Sequence, residues 1–382
     1  MLPPSHCFFI INNDDYIKPP ESFLGYRCIH YKEISITPSD LLILFIANNR
    51  FHQYIISFFK KPKAGVYIAW IHEPHIFQNV LDMCINNRFG FNFNDQEDYL
   101  KKELGSYLAS KVIVDIKKGC FEYFFSYTLF CLKDVIEKSD LIITHSVYVK
   151  LKILFEAGIY KTIPPVIVLK HPENPKEIQN RDFIEGSKER FQIGIFGWVS
   201  PHKRIKEACK AFDVFWCSLN DEDKKRCVLK IVGELPPSEY YDPVSFVKSL
   251  NSSNNIFFTG FLDDQNFEKE FKNTDLIINL RFPSCGESSA IIHKAREFGI
   301  PIAVSDFQAL REEEATEFIP VHPELEIKHL VAFLKKVFVL WKTYGTTKVI
   351  INNKDFKDSR YTKEKILKKI YKLMEFEGAK TL

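Results

Sequence analysis

Short apolar, β-branched runs alternate with longer stretches of helical periodicity along most of the chain. In the second half the runs are 192–196 (QIGIF), 227–232 (CVLKIV), 255–259 (NIFFT), 275–280 (DLIINL) and 301–304 (PIAV). Between the first two, Ile205, Ala208, Cys209, Phe212 and Trp216 fall at i, i+3, i+4, i+7 and i+11, one face of a helix. Between the last two, Ile291, Ala295 and Phe298 form the same kind of stripe. Strands alternating with helices at this spacing predict a doubly wound parallel sheet. The first half repeats the theme less regularly, with candidate strands 7–11, 41–46 (LLILFI), 65–71 (GVYIAWI), 140–144 (DLIIT) and 165–169 (PVIVL), and a largely helical stretch over 75–137. The polar segment 171–190 carries two prolines and reads as a linker. Near the end, Ile366, Ile370, Leu373 and Met374 mark a basic amphipathic helix. The pattern predicts an α/β protein of two Rossmann-like domains, 1–180 and 181–382, binding ligands beyond the carboxyl ends of its strands.

Composition narrows the class. A length of 382 residues suits two domains, and 46% hydrophobic with 26% charged residues is a soluble globular profile. Disordered, collagen-like and disulfide-stapled classes are excluded. Lys+Arg 52 against Asp+Glu 49 is too even for a dedicated nucleic-acid binder. The nine cysteines form no CxxC pair and no Cys/His cluster of zinc spacing, which suits a reducing cytosol. The opening MLPPSHCFFII lacks a basic flank and makes a poor signal peptide. The apolar segment 119–132 contains Glu122 and is too short to span a bilayer, so a buried helix is expected there. Phe58-Phe59-Lys60-Lys61-Pro62-Lys63 could make peripheral membrane contact, but the plainer reading, an amphipathic helix end followed by a turn, is favoured. Only 15 glycines accompany 35 phenylalanines, which argues against a function resting on several glycine-rich loops.

Two strand-to-helix junctions carry chemistry. In Phe196-Gly197-Trp198-Val199-Ser200-Pro201-His202-Lys203-Arg204, two adjacent cations at a helix start oppose the macrodipole. An anion held there would account for them, Lys203 acting as a point charge and Arg204 through its fork; two solvated surface cations are the plainer alternative. In Asn279 to Ser289 (NLRFPSCGESS), Gly286 permits close backbone approach, and the amides of Glu287, Ser288 and Ser289 are expected at a helix N-terminus suited to phosphate. A capping box between Ser284 and Glu287 is compatible with this. Together the two loops would clamp a diphosphate. No GxGxxG occurs between a strand and a helix, so a dinucleotide-dependent oxidoreductase is set aside.

In order and spacing, GWVSPHKR, KIVGE (230–234), FTGFL (258–262), DLIINLRFPSCGESS (275–289) and REFGIPIAVSD (296–306) resemble the donor-binding domain of glycosyltransferase family four. In the first half, Asn48-Asn49-Arg50-Phe51-His52, Ile71-His72-Glu73-Pro74 and Thr144-His145-Ser146 are similar to family turns. The resemblance implies a GT-B fold, with two Rossmann-like domains facing each other across a cleft and room for a C-terminal helix to pack back on the first. The first domain would serve the acceptor and the second the donor. It implies a retaining transfer from a nucleotide diphosphate sugar, UDP- or GDP-linked, to a hydroxyl of a glycan or glycolipid, without metal or other cofactor, in cytoplasmic cell-envelope synthesis.

The roles it implies are catalytic for His72, Lys203 and Glu287, and donor-binding for Trp198, Arg204, Gly233, Arg281, Gly286, Ser288 and Ser289. His52, Glu73 and His145 would line the acceptor side, and His75, His171 and His202 are read as structural. The sequence also departs from the family. Lys294 stands where a ribose-binding glutamate is expected, Trp198 where a phosphate-binding arginine is common, and Asn12-Asn13-Asp14-Asp15 replaces the usual first-strand glycine loop. A degenerate GT-B protein that binds a sugar nucleotide or partner without turnover is the alternative. Asp221-Glu222-Asp223 resembles a metal-binding D-x-D but reads as solvated surface charge.

Overall fold

The computed structural model describes residues 8–11, 21–23, 26–118, 123–158, 163–170, 189–345 and 347. The chain divides into two compact units: Met1–Leu169 with Cys285–Glu287, and Lys170–Ser284 with Ser288–Leu382. The loop 12–15, most of the linker 171–190 and the C-terminal helix with Ile366, Ile370, Leu373 and Met374 lie outside the described residues.

The first unit opens with a small sheet of β1 (Phe8–Ile11), β2 (Ser22–Phe23) and β3 (Tyr26–His30), ordered β1-β3-β2. Then come β4 (Leu41–Ile46), α1 (Gln53–Lys60), β5 (Val66–Ile71), α2 (Phe77–Ile85), α3 (Phe93–Lys117), α4 (Lys133–Lys138), β6 (Leu141–Thr144), α5 (Val147–Ala157) and β7 (Val166–Val168). Strands β4-β5-β6-β7 form a parallel sheet in that order. Edge strand β4 buries Leu42, Leu44 and Ile46 on one face, whereas β5 and β6 are mainly apolar and buried almost throughout, as suits interior parallel strands.

The second unit runs β8 (Phe191–Phe196), α6 (Ile205–Cys217), α7 (Asp221–Arg226), β9 (Cys227–Val232), α8 (Pro243–Lys248), β10 (Ile256–Gly260), α9 (Asp264–Asn273), β11 (Leu276–Asn279), α10 (Ala290–Phe298), β12 (Ile302–Asp306), β13 (Glu317–Pro320) and α11 (Leu325–Tyr344). Its six strands are all parallel, in the order β10-β9-β8-β11-β12-β13. Counted from β8, that is the 3-2-1-4-5-6 order of a dinucleotide-binding sheet. One layer of its core joins Ile205, Ala208, Phe212 and Phe215 of α6 to Leu330, Phe333, Leu334 and Phe338 of α11. The other joins Phe196, Phe271, Ile292 and Ala295.

Two local expectations are corrected and one is met. The described part of 119–132 is a 3₁₀ turn, Tyr123–Tyr127, followed by an irregular segment that buries Leu129 to Leu132, not a helix. The patch 58–63 takes the plainer reading, a helix end at Lys60 followed by non-helical chain, with Phe58 and Phe59 buried, Lys60 paired with Asp95 and Lys63 with Asp140. Asp223 is not solvated: Asn220 caps its amide and Lys342 of α11 holds its buried carboxylate at 2.8 Å.

Candidate functional site

β8 and β11 are neighbours at the centre of the second sheet, and the chain order reverses between them. Their outgoing connections leave in opposite directions, opening a crevice at the carboxyl ends, where doubly wound sheets bind ligands. Residues 197–204 follow β8 and residues 280–289 follow β11. A hydrogen bond from the Phe282 amide to the His202 carbonyl, 2.7 Å, ties the two segments together.

The first segment continues the sheet before it turns. The Gly197 amide donates to the Val232 carbonyl at 2.8 Å and the Val199 amide to the Glu234 carbonyl at 3.0 Å. The chains approach so closely that a Cβ on Gly233 would lie 2.2 Å from the Gly197 carbonyl oxygen. The 3₁₀ turn Pro201–Lys203 then brings Lys203 back over the strand end. Its buried Nζ donates to the Phe196 carbonyl at 2.9 Å, 2.6 Å from where a Cβ on Gly197 would stand. Trp198 is half exposed beside it.

Arg204 is placed differently from the expectation. It caps α6 in left-handed geometry, with φ 55°. Its guanidinium meets the buried Glu326 carboxylate of α11 through Nε at 3.1 Å and Glu207 through Nη1 at 3.0 Å. Burial is the largest single influence and disfavours the Arg204 charge, but the bond to Glu326 together with the charges of Glu207 and Glu326 more than offsets it, and the pKa is raised. Carboxylates of the chain itself therefore answer the cation that opposes the helix dipole. Glu326, 122 residues away, is the partner that sequence reading missed; only the packing of α11 on α6 supplies it.

In the second segment the helix starts later than expected. α10 begins at Ala290 with Ser289 as its N-cap, so Ser284 and Glu287 form no capping box and the amides of 287–289 precede the first turn. Gly286, at φ +82°, turns the chain, and the Glu287 carboxylate accepts the Cys285 amide at 2.8 Å. Asn279 donates to the Ser289 hydroxyl at 3.1 Å, and the Arg281 amide donates to Ser305 Oγ at 2.8 Å. The Ser288 hydroxyl donates to Glu313 at 3.0 Å, whose carboxyl burial raises in pKa. Lys294 lies over the Phe267 and Phe271 rings, at 5.3 and 5.6 Å.

In the first unit the expected residues also gather at strand carboxyl ends. Asn79 donates to the Ala47 and Asn49 carbonyls and Glu73 accepts the Asn48 amide at 2.7 Å, which shapes the turn after β4. His52 Nδ1 meets the Phe45 carbonyl at 2.7 Å. His72 follows β5, its amide bonded to the Ile46 carbonyl, and His145 follows β6 with Nδ1 3.2 Å from the Leu169 carbonyl. The His72 and His145 rings meet edge to face, 5.3 Å between centroids. Glu73, Cys285 and Glu287, all of this unit, offer ligand atoms within 4.8 Å of one another. A thiol with two carboxylates differs from the all-oxygen shell that Mg²⁺ takes at a phosphate.

His75 is buried against Phe130, and neither ring nitrogen has a hydrogen-bond partner. Burial, helped by Lys152, lowers its pKa to about 4. A histidine depressed in the folded state binds its proton only on unfolding, so stability present above the unfolded value of 6.5 is lost as pH falls toward about 4. Urea midpoints measured between these limits are expected to fall with pH, by at most about 1.4 kcal/mol per pH unit from this group. A His75→Phe variant should flatten that slope; an unchanged slope would acquit His75.

No family model matches the sequence, and no curated protein matches it. Solved structures do. Sucrose-phosphate synthase from Thermosynechococcus elongatus superposes with a TM-score of 0.52 at 13% identity, over 89% of this chain and 74% of that one. The Anabaena protein HepE in complex with UDP superposes with a TM-score of 0.50 at 14% identity, over 88% of this chain and all of that one. The fold is that of the GT-B glycosyltransferases. HepE has also been solved with UDP-glucose, at the same TM-score. Within the GT-B fold, each Rossmann-like unit of this chain carries its expected residues at strand carboxyl ends. Among the described residues, no helix is long and apolar enough to cross a membrane.

Proposed function

We propose that this protein is a retaining glycosyltransferase that moves a sugar from a nucleotide diphosphate, UDP- or GDP-linked, to an acceptor hydroxyl of a glycan or glycolipid. The observation that carries the proposal is the Lys203 ammonium over the end of β8, at the switch point of a 3-2-1-4-5-6 sheet, in a loop bonded to the one after β11 through His202 and Phe282. The likeness to HepE, solved with UDP and UDP-glucose, supports a nucleotide-sugar ligand. As the C1–oxygen bond breaks, negative charge grows on the leaving diphosphate while the sugar becomes oxocarbenium-like. Lys203 and Arg281 stabilise that charge, with backbone amides of 287–289 as further donors. The leaving phosphate takes the acceptor proton, and His72 orients the hydroxyl, with His52, Glu73 and His145 beside it on the acceptor side. The chemistry asks for no metal ion in this scheme, and a cytoplasmic role in cell-envelope synthesis suits it.

Arg204 supports the Lys203 loop in this reading instead of gripping phosphate. Lys203→Ala is expected to weaken UDP binding at least tenfold, since a charge-assisted phosphate contact is worth roughly 1.5–3 kcal/mol. Calorimetry with UDP checks this, and unchanged affinity would remove Lys203 from the site. The engagement of Arg204 by Glu326 and the position of Lys294 over Phe267 favour one second reading, a GT-B protein that binds a sugar nucleotide without turnover. Donor hydrolysis or transfer by wild-type protein separates the two: binding without either selects the second.

A further inference from the structure

A row of rings runs across the carboxyl ends of the first unit's sheet. The register pairs Phe45 with Trp70, and their rings stack at 5.2 Å and 23°. Trp70 tilts against His145 at 5.8 Å, and His145 meets His72 at 5.3 Å. The inner members are buried, but Phe45 is 49% exposed. A ring lying flat on an indole and half exposed presents its other face outward. Stability does not account for this arrangement. The Trp70 indole N–H is buried without a hydrogen-bond partner, a cost that a plain aliphatic pair would avoid.

What surrounds the outward face says what fits it. His52 grips the Phe45 carbonyl, so an imidazole is fastened beside the ring. Asn49 and Arg50 are exposed on the same turn, and the Arg50 guanidinium lies 4.8 Å from the centroid of the Phe51 ring, itself 49% exposed. An acyl chain asks for continuous apolar surface, whereas the turn bonded to the Phe45 carbonyl carries imidazole, amide and guanidinium groups. A pyranose ring has the matching chemistry: one face of C–H bonds to lie on a phenyl ring, and a rim of hydroxyls for amide, imidazole and guanidinium groups.

We infer that the outward face of Phe45, with the following turn of Asn49, Arg50 and His52 tied to its carbonyl through His52, is a stacking subsite for a pyranose ring of the acceptor. The assignment rests on the glycosyltransferase reading for the word acceptor, and it narrows that acceptor to one presenting a sugar ring. The row Phe45–Trp70–His145–His72 then links the platform to the histidine that orients the hydroxyl. Phe45 is a binding residue in this account and takes no part in bond making.

The test uses the full chain without donor, so that it does not depend on turnover. Saturation-transfer NMR is run with the methyl pyranosides of glucose, galactose, mannose and N-acetylglucosamine. At least one should receive saturation on the protons of one ring face. Its affinity should fall at least fivefold in Phe45→Ala and stay within twofold of wild type in Phe45→Tyr, with matching thermal midpoints as the folding control. Transfer to no pyranoside, or equal binding by Phe45→Ala, would overturn the subsite. UDP calorimetry on the same sample keeps the two ideas apart: pyranoside binding without UDP binding would sink the donor reading and leave a sugar-binding platform, while the reverse would sink the platform alone.

Discussion

Glu326→Ala is expected to lower the stability of the second unit by about 3 kcal/mol, the low end for removing one partner of a buried ion pair. The loss comes from what the change leaves behind. Arg204, with a side chain 22% exposed, would keep its charge at the N-terminus of α6, facing the positive end of the dipole with its main carboxylate partner gone and Glu207 left to answer it. It would also still hold its left-handed backbone, which costs about 1 kcal/mol for a residue with a Cβ. Urea unfolding followed by tryptophan fluorescence measures the effect, since Trp341 and Trp216 belong to this unit. Glu326→Gln, which retains an acceptor, should lose less. The double variant Glu326→Ala with Arg204→Ala should recover part of the deficit, because the stranded charge goes with its partner. A loss under 1 kcal/mol in Glu326→Ala would show the pair to be ornamental.

Gly233→Ala is expected to cost roughly 3 kcal/mol, the overpacking penalty where neither neighbour can give. The new Cβ would stand 2.2 Å from the Gly197 carbonyl oxygen and 2.6 Å from its carbon, both backbone atoms. Relief requires parting the two segments, which breaks the bonds from Gly197 to Val232 and from Val199 to Glu234. Those bonds set the loop that carries Lys203, so UDP affinity should fall together with stability. Gly260→Ala is the control: its Cβ meets nothing within 4 Å, and only the backbone strain of φ +71° is added, about 1 kcal/mol. Equal thermal midpoints for Gly233→Ala and wild type would refute the close approach.

These effects mark where sequence reading stopped. Strands β8, β9, β11 and β12 were legible because each is a short, mainly apolar run buried on both faces, and α6 because its stripe repeats at helical spacing. Helix α11 was not anticipated, although Leu330, Leu334, Phe338 and Trp341 repeat in the same way. Strand β13 has only four residues, too few for a period to show. The two junction loops were legible as sites of chemistry, but the assignments within them were less so. Lys203 and Arg204 are adjacent cations in sequence, and nothing local says that one lies over a strand end while the other turns to a carboxylate 122 residues away. Ser284-x-x-Glu287 has the spacing of a capping box, yet the turn at Gly286 delays the helix to Ala290.

By itself the sequence determined the alternation of strands and helices, the division into two Rossmann-like halves, and the two loops on which an anion site would be built. All of these depend on interactions between residues near in the chain, through periodicity and turn chemistry. The tertiary structure decided which partners the side chains in those loops meet. It placed β8 beside β11, so that separate loops share one crevice; it committed Arg204 to Glu326; and it laid Phe45 on Trp70 with one face outward. Charge pairing and ring stacking act through space over a few ångströms, so their partners are chosen by packing and not by distance along the chain.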